Sequence, residues 1–132
     1  MNIVLTTYNR YEYLDRSLSS LLKSEFDNDT LWIFDDHSDV EPRTPLLLES
    51  LGSMTDLKIN LNLSQIHFGC DNKVFNSTIS VLEKTDDQFV FILDSDGIYN
   101  PKWVALVKNK LQNFKKNVAA LSIYDSINHK PV

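Results

Sequence analysis

The sequence predicts an α/β fold, a three-layer α/β/α sandwich built on a mainly parallel, Rossmann-like sheet. Two observations predict it. Short apolar runs alternate with segments of helical period in the order β-α-β-α-β-α-β-α-β, and short connections of this kind argue parallel strands with helices on both faces. The apolar runs also end in polar, often acidic tips, and open α/β sheets bind ligands outside the carboxyl ends of their strands.

Ile3 to Thr6 is the first strand. Asn9 stands where it can N-cap the next helix, with Glu12 three residues on in capping-box spacing. Leu14, Leu18, Leu21 and Leu22 give that helix one apolar face, and it should end between Ser24 and Asp27. Leu31 to Phe34 is the second strand, and Asp35-Asp36-His37-Ser38-Asp39 follows it directly. Leu46, Leu47, Leu48 and Leu51 mark a short helix capped by Ser38 or Asp39, with Pro42 and Pro45 at or before its first turn and Gly52 as its stop.

Leu57, Ile59, Leu61 and Leu63 alternate with polar residues, so this third strand has one less covered face. A loop from Ser64 to Gly69 leads to a helix carrying Val74, Phe75, Thr78, Ile79 and Leu82 on its apolar side. Gln88 to Leu93 then reads as a core strand buried on both faces, because its apolar run is unbroken. Asn100 can cap the next helix with Pro101 at its first position, and Trp103, Val104, Val107, Leu111 and Phe114 form its stripe. Val118 to Ile123 is the last strand.

The 132 residues make one domain, 1–132, with 42% hydrophobic and 23% charged residues, the profile of an ordinary globular protein. The net charge of −5 offers no basic surface for nucleic acid. An anionic ligand therefore needs a bound cation or oriented backbone N–H groups. Cys70 is the sole cysteine, which excludes an internal disulfide or a cysteine metal cluster and suits a reducing compartment. It lies at a helix start, where it reads as a small buried or half-buried residue. His37, His67 and His129 lack zinc-site spacing. Met1 is followed by neither a basic leader nor a long apolar stretch, so neither a signal peptide nor a membrane span is expected, and the location expected is cytoplasmic. The dinucleotide G-x-G-x-x-G and the phosphate loop G-x-x-x-x-G-K-[ST] are both missing.

Three polar tips could carry chemistry. Asp94 and Asp96 follow the fourth strand, and strand alternation puts both on one side. Such a pair suits Mg²⁺ or Mn²⁺ through oxygen ligands, and the ion can bridge an acidic protein to a diphosphate; the other reading of Asp-x-Asp-Gly is a solvated turn. Asp35 and Asp36 end the second strand, where a carboxylate can accept an N–H from a nucleobase or bind a ribose hydroxyl, with helix capping as the alternative for Asp39. Thr6, Thr7 and Tyr8 end the first strand with hydroxyls and a flat aromatic face, which suit a nucleoside phosphate as well as a plain capped turn.

Residues Ile3 to Arg10, the Ser17-Leu18-Ser19-Ser20-Leu21-Leu22 segment, the Trp32 to Asp39 segment with its Asp35-Asp36, Asp94-Ser95-Asp96 and Pro101-Lys102-Trp103 together resemble the family 2 glycosyltransferases of the GT-A fold. The likeness runs from residue 3 to about residue 123. The resemblance implies a nucleotide-diphospho-sugar donor, a UDP-sugar first among them, with Mn²⁺ or Mg²⁺. It implies nucleoside contacts at Thr6, Thr7 and Tyr8, a base contact at Asp36, the metal at Asp96, and Asp94 near the ribose or the metal. Two departures stand out. Phe75 precedes Asn76 where the family often has Arg-Asn, with Lys73 nearby as a substitute. The family's catalytic base lies in a second half, so no residue here is assigned as the base. The expectation is a donor-binding GT-A half, truncated before the base and completed by a C-terminal half or a homodimer. The alternative is a nucleotide- or nucleotide-sugar-binding module without turnover. A nucleotidyltransferase is disfavoured, because no glycine-rich basic loop follows the first strand.

Overall fold

The computed structural model describes every residue except Gln88 and 113–132. Its elements are β1 (Asn2–Thr7), α1 (Tyr11–Leu21), β2 (Thr30–Asp35), α2 (Arg43–Ser50), β3 (Lys58–Leu63), α3 (Cys70–Lys84), β4 (Val90–Leu93) and α4 (Trp103–Gln112). Four strands form one parallel sheet in the order β3-β2-β1-β4. Phe114 and the expected strand Val118 to Ile123 lie outside the described residues.

The sheet order explains the layers. The chain steps from β1 outward to β2 and β3, then returns across β1 to β4. Crossovers of one hand put their helices on opposite faces when the direction of travel reverses. Accordingly α1, α2 and α4 pack on one face, where Leu14, Leu18, Leu21, Leu48, Val104 and Val107 meet Ile3, Leu5, Leu31 and Ile33. On the other face α3 brings Val81 onto Val4 and Phe34. β1 serves both layers because successive side chains alternate. Each fully buried leucine here contributes about 1.5–3 kcal/mol relative to exposure.

α4 is fastened at its start. The helix begins at Trp103, two residues past the expected start at Pro101. Ahead of it Asn100 Oδ1 accepts the Lys102 N–H at 2.9 Å, and Trp103 donates its indole N–H to Ser24 Oγ at 2.8 Å. Phe26, Phe91 and Tyr99 surround the Trp103 ring. A buried ion cluster ties β2's entry to α4: Asp29 lies 3.0 Å from both the terminal ammonium and Lys108 Nζ. Burial alone would raise the Asp29 carboxyl pKa, but the Asp27 N–H, Lys108 and the ammonium outweigh it and hold it below the usual range.

Several expectations are corrected. β4 is an edge strand among the described residues, with Phe89 and Ile92 exposed, because only β1 pairs with it. α3 buries Lys73, Ser77 and Val81, and leaves Phe75, Ile79 and Leu82 outward. Small Ser77 lets the helix approach the sheet, and the Lys73 ammonium is drawn toward the acidic end of β2. Cys70 is exposed. α1 stops at Leu21, and α2 passes through a 3-10 turn, Leu51–Ser53, that includes Gly52. Neither Ser38 nor Asp39 caps α2, whose N-cap is Pro42. Among the described residues no helix is long and apolar enough to cross a membrane.

Candidate functional site

The polar tips meet at one edge, as parallel strands require. Thr7 pairs in register with Asp35, and Asp35 with Leu63. Between β1 and β4 the sheet order reverses, and the crevice at such a switch point is where open α/β sheets bind ligands. Thr6 to Arg10 flank it on one side and Asp94 to Gly97 on the other. Arg10 Nη1 reaches across to Asp96 Oδ2 at 3.2 Å. Both side chains are about half exposed, so this ion pair is weak and easily exchanged for another partner.

Asp94 and Asp96 do not continue the strand. β4 ends at Leu93, and the Gly97 N–H closes a turn onto the Asp94 carbonyl. The expected one-sidedness from strand alternation therefore does not apply, and the turn itself displays both carboxylates to solvent. The Tyr99 hydroxyl donates to the Asp94 carbonyl at 2.6 Å. Burial pushes the Tyr99 phenol up to about 12. A Cβ at Gly97 would lie 2.6 Å from that hydroxyl, so glycine permits the close approach.

Among the described residues no group of three or more His, Cys, Asp or Glu could hold a metal by itself. The exposed Asp94/Asp96 pair still fits a divalent cation of the kind bound by one or two carboxylates plus substrate phosphates.

The first two tips are stitched together by Asn9, which does not cap α1. Arg10 occupies the N-cap position, and its carbonyl accepts the N–H groups of Tyr13 and Leu14. Asn9 adopts φ 47°, a left-handed conformation that asparagine tolerates better than most residues. Its N–H donates to Ser38 Oγ at 2.9 Å, and its Oδ1 accepts from Val40 and Glu41 at 3.1 and 3.0 Å. Its amide donates to Asp39, whose carboxyl is held below the usual range chiefly by that bond. Asp35 is buried and accepts the Ser38 N–H at 2.8 Å and the Ser38 hydroxyl.

Asp36 is also buried, and its own chain surrounds it. The Phe68 and Gly69 N–H groups donate to its two oxygens at 2.9 Å each. His67 Nδ1 lies 2.8 Å from Oδ2, and Lys73 Nζ lies 3.9 Å from Oδ1. Burial pulls the Lys73 ammonium pKa down, while Asp36 and Asp35 partly oppose that shift. Tyr8 stacks on His67 with ring centroids 4.2 Å apart and 26° between planes. Thr7 is buried, Thr6 half-buried, and Tyr8 exposed. The structure thus groups Tyr8, Asp36, His67 and Lys73 at one end of the edge, and Arg10, Asp94 and Asp96 at the crevice. His67 and Arg10 are site residues to which sequence reasoning gave no role, and Asn9 was read as a cap for α1 rather than as a bridge between the tips. The signal for Asn9 was its tolerance of left-handed backbone in a polar turn.

Residues 2–131 match the family described as "Glycosyl transferase family 2". The chain belongs to this family. Protein CgeD of Bacillus subtilis (strain 168) is 27% identical over 127 residues, covering 94% of this chain and 28% of that protein. Among solved structures, S. aureus TarS superposes with a TM-score of 0.66 at 21% identity, covering 84% of this chain and 19% of that one. TarS 1-349 in complex with UDP-GlcNAc gives 0.66 at 19% identity, covering 84% and 30%. The mannosyltransferase PcManGT from Pyrobaculum calidifontis, in complex with GDP-Man and Mn²⁺, gives 0.56 at 17% identity, covering 74% and 28%. The structural likenesses establish the GT-A type of fold. This family 2 chain spans less than a third of the length of each of these relatives.

Proposed function

We propose that this domain binds a nucleotide-diphospho-sugar through the β1–β4 crevice and serves glycosyl transfer. The observation that carries the reading is the convergence of Tyr8, Asp36 and the Asp94–Asp96 turn on one sheet edge, flanking the switch point. Tyr8 gives the nucleobase a flat face, and Thr6 and Thr7 line the nucleoside side. Asp36 accepts a base N–H. Asp94 faces the ribose or the metal, and Asp96 holds Mn²⁺ or Mg²⁺ at the diphosphate. When bound, such an ion neutralises charge on the leaving diphosphate. Arg10, already at Asp96, can exchange that carboxylate for a phosphate oxygen. The bound UDP-GlcNAc and GDP-Man of structural relatives support a nucleotide-sugar donor, with a UDP-sugar first.

The single unit 1–132 acts as the donor half in a cytoplasmic protein. Its acceptor and its base come from a further C-terminal half or a second copy. The outward stripe Phe75, Ile79 and Leu82 on α3, with Ile92 on β4, supports an apolar flank for either.

Calorimetry with UDP and Mn²⁺ tests the site. Binding should depend on the metal, and Asp96→Ala should abolish that dependence. Equal affinity in wild type and variant would sink the metal assignment. A UDP-release assay with UDP-sugars separates transfer or hydrolysis from binding without turnover.

A further inference from the structure

We infer that His67 is an internal stand-in for the nucleobase, a side chain that occupies the base slot and must swing out before a nucleotide can enter. The inference rests on the reading of Tyr8 and Asp36 as base contacts. A bound base would make two contacts there, a ring stacked on Tyr8 and an N–H donated to Asp36. His67 makes both. Its imidazole lies on the Tyr8 ring at 4.2 Å and 26°. Its Nδ1 faces Asp36 Oδ2 at 2.8 Å and the Asp36 carbonyl at 3.2 Å. Both partners are acceptors, so Nδ1 carries the hydrogen, and the imidazole presents the same donor that a base N–H would present.

The two rings are in direct contact, so no third ring fits between them. A base can take that face of Tyr8 only by replacing His67. The His67 side chain is the partner suited to leave: it is 47% exposed and sits in the loop before α3. When it leaves, Asp36 is not stranded. The Phe68 and Gly69 N–H groups and the Lys73 ammonium, itself nearly buried, remain around its two oxygens. The carboxylate is therefore held in place by main chain and lysine, while its outermost neighbour, His67, is exchangeable.

An occupied slot reduces apparent affinity by the fraction of molecules in which it is open. His67→Ala should therefore tighten UDP binding in the presence of Mn²⁺, by roughly 3- to 10-fold, whereas Tyr8→Ala and Asp36→Asn should weaken it. Circular dichroism checks that each variant folds. A second readout needs no variant. In the wild-type chain the His67 Cε1–H resonance should carry the ring-current shift of Tyr8 and lose it as UDP saturates the protein.

If UDP binds, Asp36→Asn weakens it, and His67→Ala leaves affinity unchanged or lowers it, the stand-in role is overturned while the site reading survives. A His67 resonance that keeps its shift in the UDP complex overturns it too, because the base then sits elsewhere on Tyr8. If neither Asp36→Asn nor Tyr8→Ala alters UDP binding, the site reading falls and the inference falls with it.

Discussion

Tyr99 fastens the acidic turn from below. Its hydroxyl holds the Asp94 carbonyl, and Gly97 leaves the space it needs. Its phenol, raised to about 12 by burial, favours the neutral form in the folded state. A group raised above its unfolded value of about 10 contributes stability that is complete below pH 10. That contribution is lost as pH climbs from about 10 through about 12. In an alkaline absorbance titration, Tyr99→Phe should remove a phase that titrates late, near about 12. An unchanged late phase would show that another tyrosine carries it. At this scale the sequence was readable where chemistry is displayed and silent where it is balanced. Asp36, Asp94 and Asp96 stand out as carboxylates at strand ends. The partners that hold Asp36, from His67 to Lys73, lie some thirty residues further along, and no periodicity marks them.

Among the elements, the loops after β1 and β2 behave as one unit because Asn9 bonds across both. Asn9→Ala removes the acceptor for two N–H groups and places a Cβ-bearing residue without a polar side chain at positive φ. Urea unfolding should show a loss of about 1–3 kcal/mol. Asn9→Gly, which relieves the backbone but not the bonds, should recover only part of it. A loss under about 0.5 kcal/mol for the alanine variant would mean that the tips hold together without Asn9. Much of the element pattern was legible from alternation and period, since β1 and β2 bury most of their apolar runs, α1 buries Leu14, Leu18 and Leu21, and α4 buries Trp103, Val104 and Val107. β4 and α3 were not. An unbroken apolar run cannot distinguish a central strand from an edge strand. A helix with apolar residues on two flanks does not declare which flank meets the sheet, and Lys73 was decided by charge rather than by hydropathy.

Over the whole molecule, burial is uneven. β1 and β2 are enclosed by neighbours on both sides and by helices on both faces, whereas β4 has one strand neighbour among the described residues. Amide hydrogen exchange should reflect this. The β1 and β2 amides should exchange only through global opening, and those of β4 earlier, through local opening. Equal protection in β1 and β4 would show that more than the described residues covers the outer side of β4. The three-layer architecture was legible because alternation plus short connections leaves few topologies. The strand order was not, since nothing local in β3 or β4 says which side of β1 each will take.

β1 belongs to everything at once: it neighbours β2 and β4, and it sends Ile3 and Leu5 into one layer and Val4 into the other. A change of side-chain volume deep in either layer therefore tilts a single shared beam. The spacing between Tyr8 and Asp36 on one side and the Asp94–Asp96 turn on the other is in this sense inherited from the core. Drift among Leu, Ile and Val far from any polar group can shift that spacing, with every residue of the crevice left as it is.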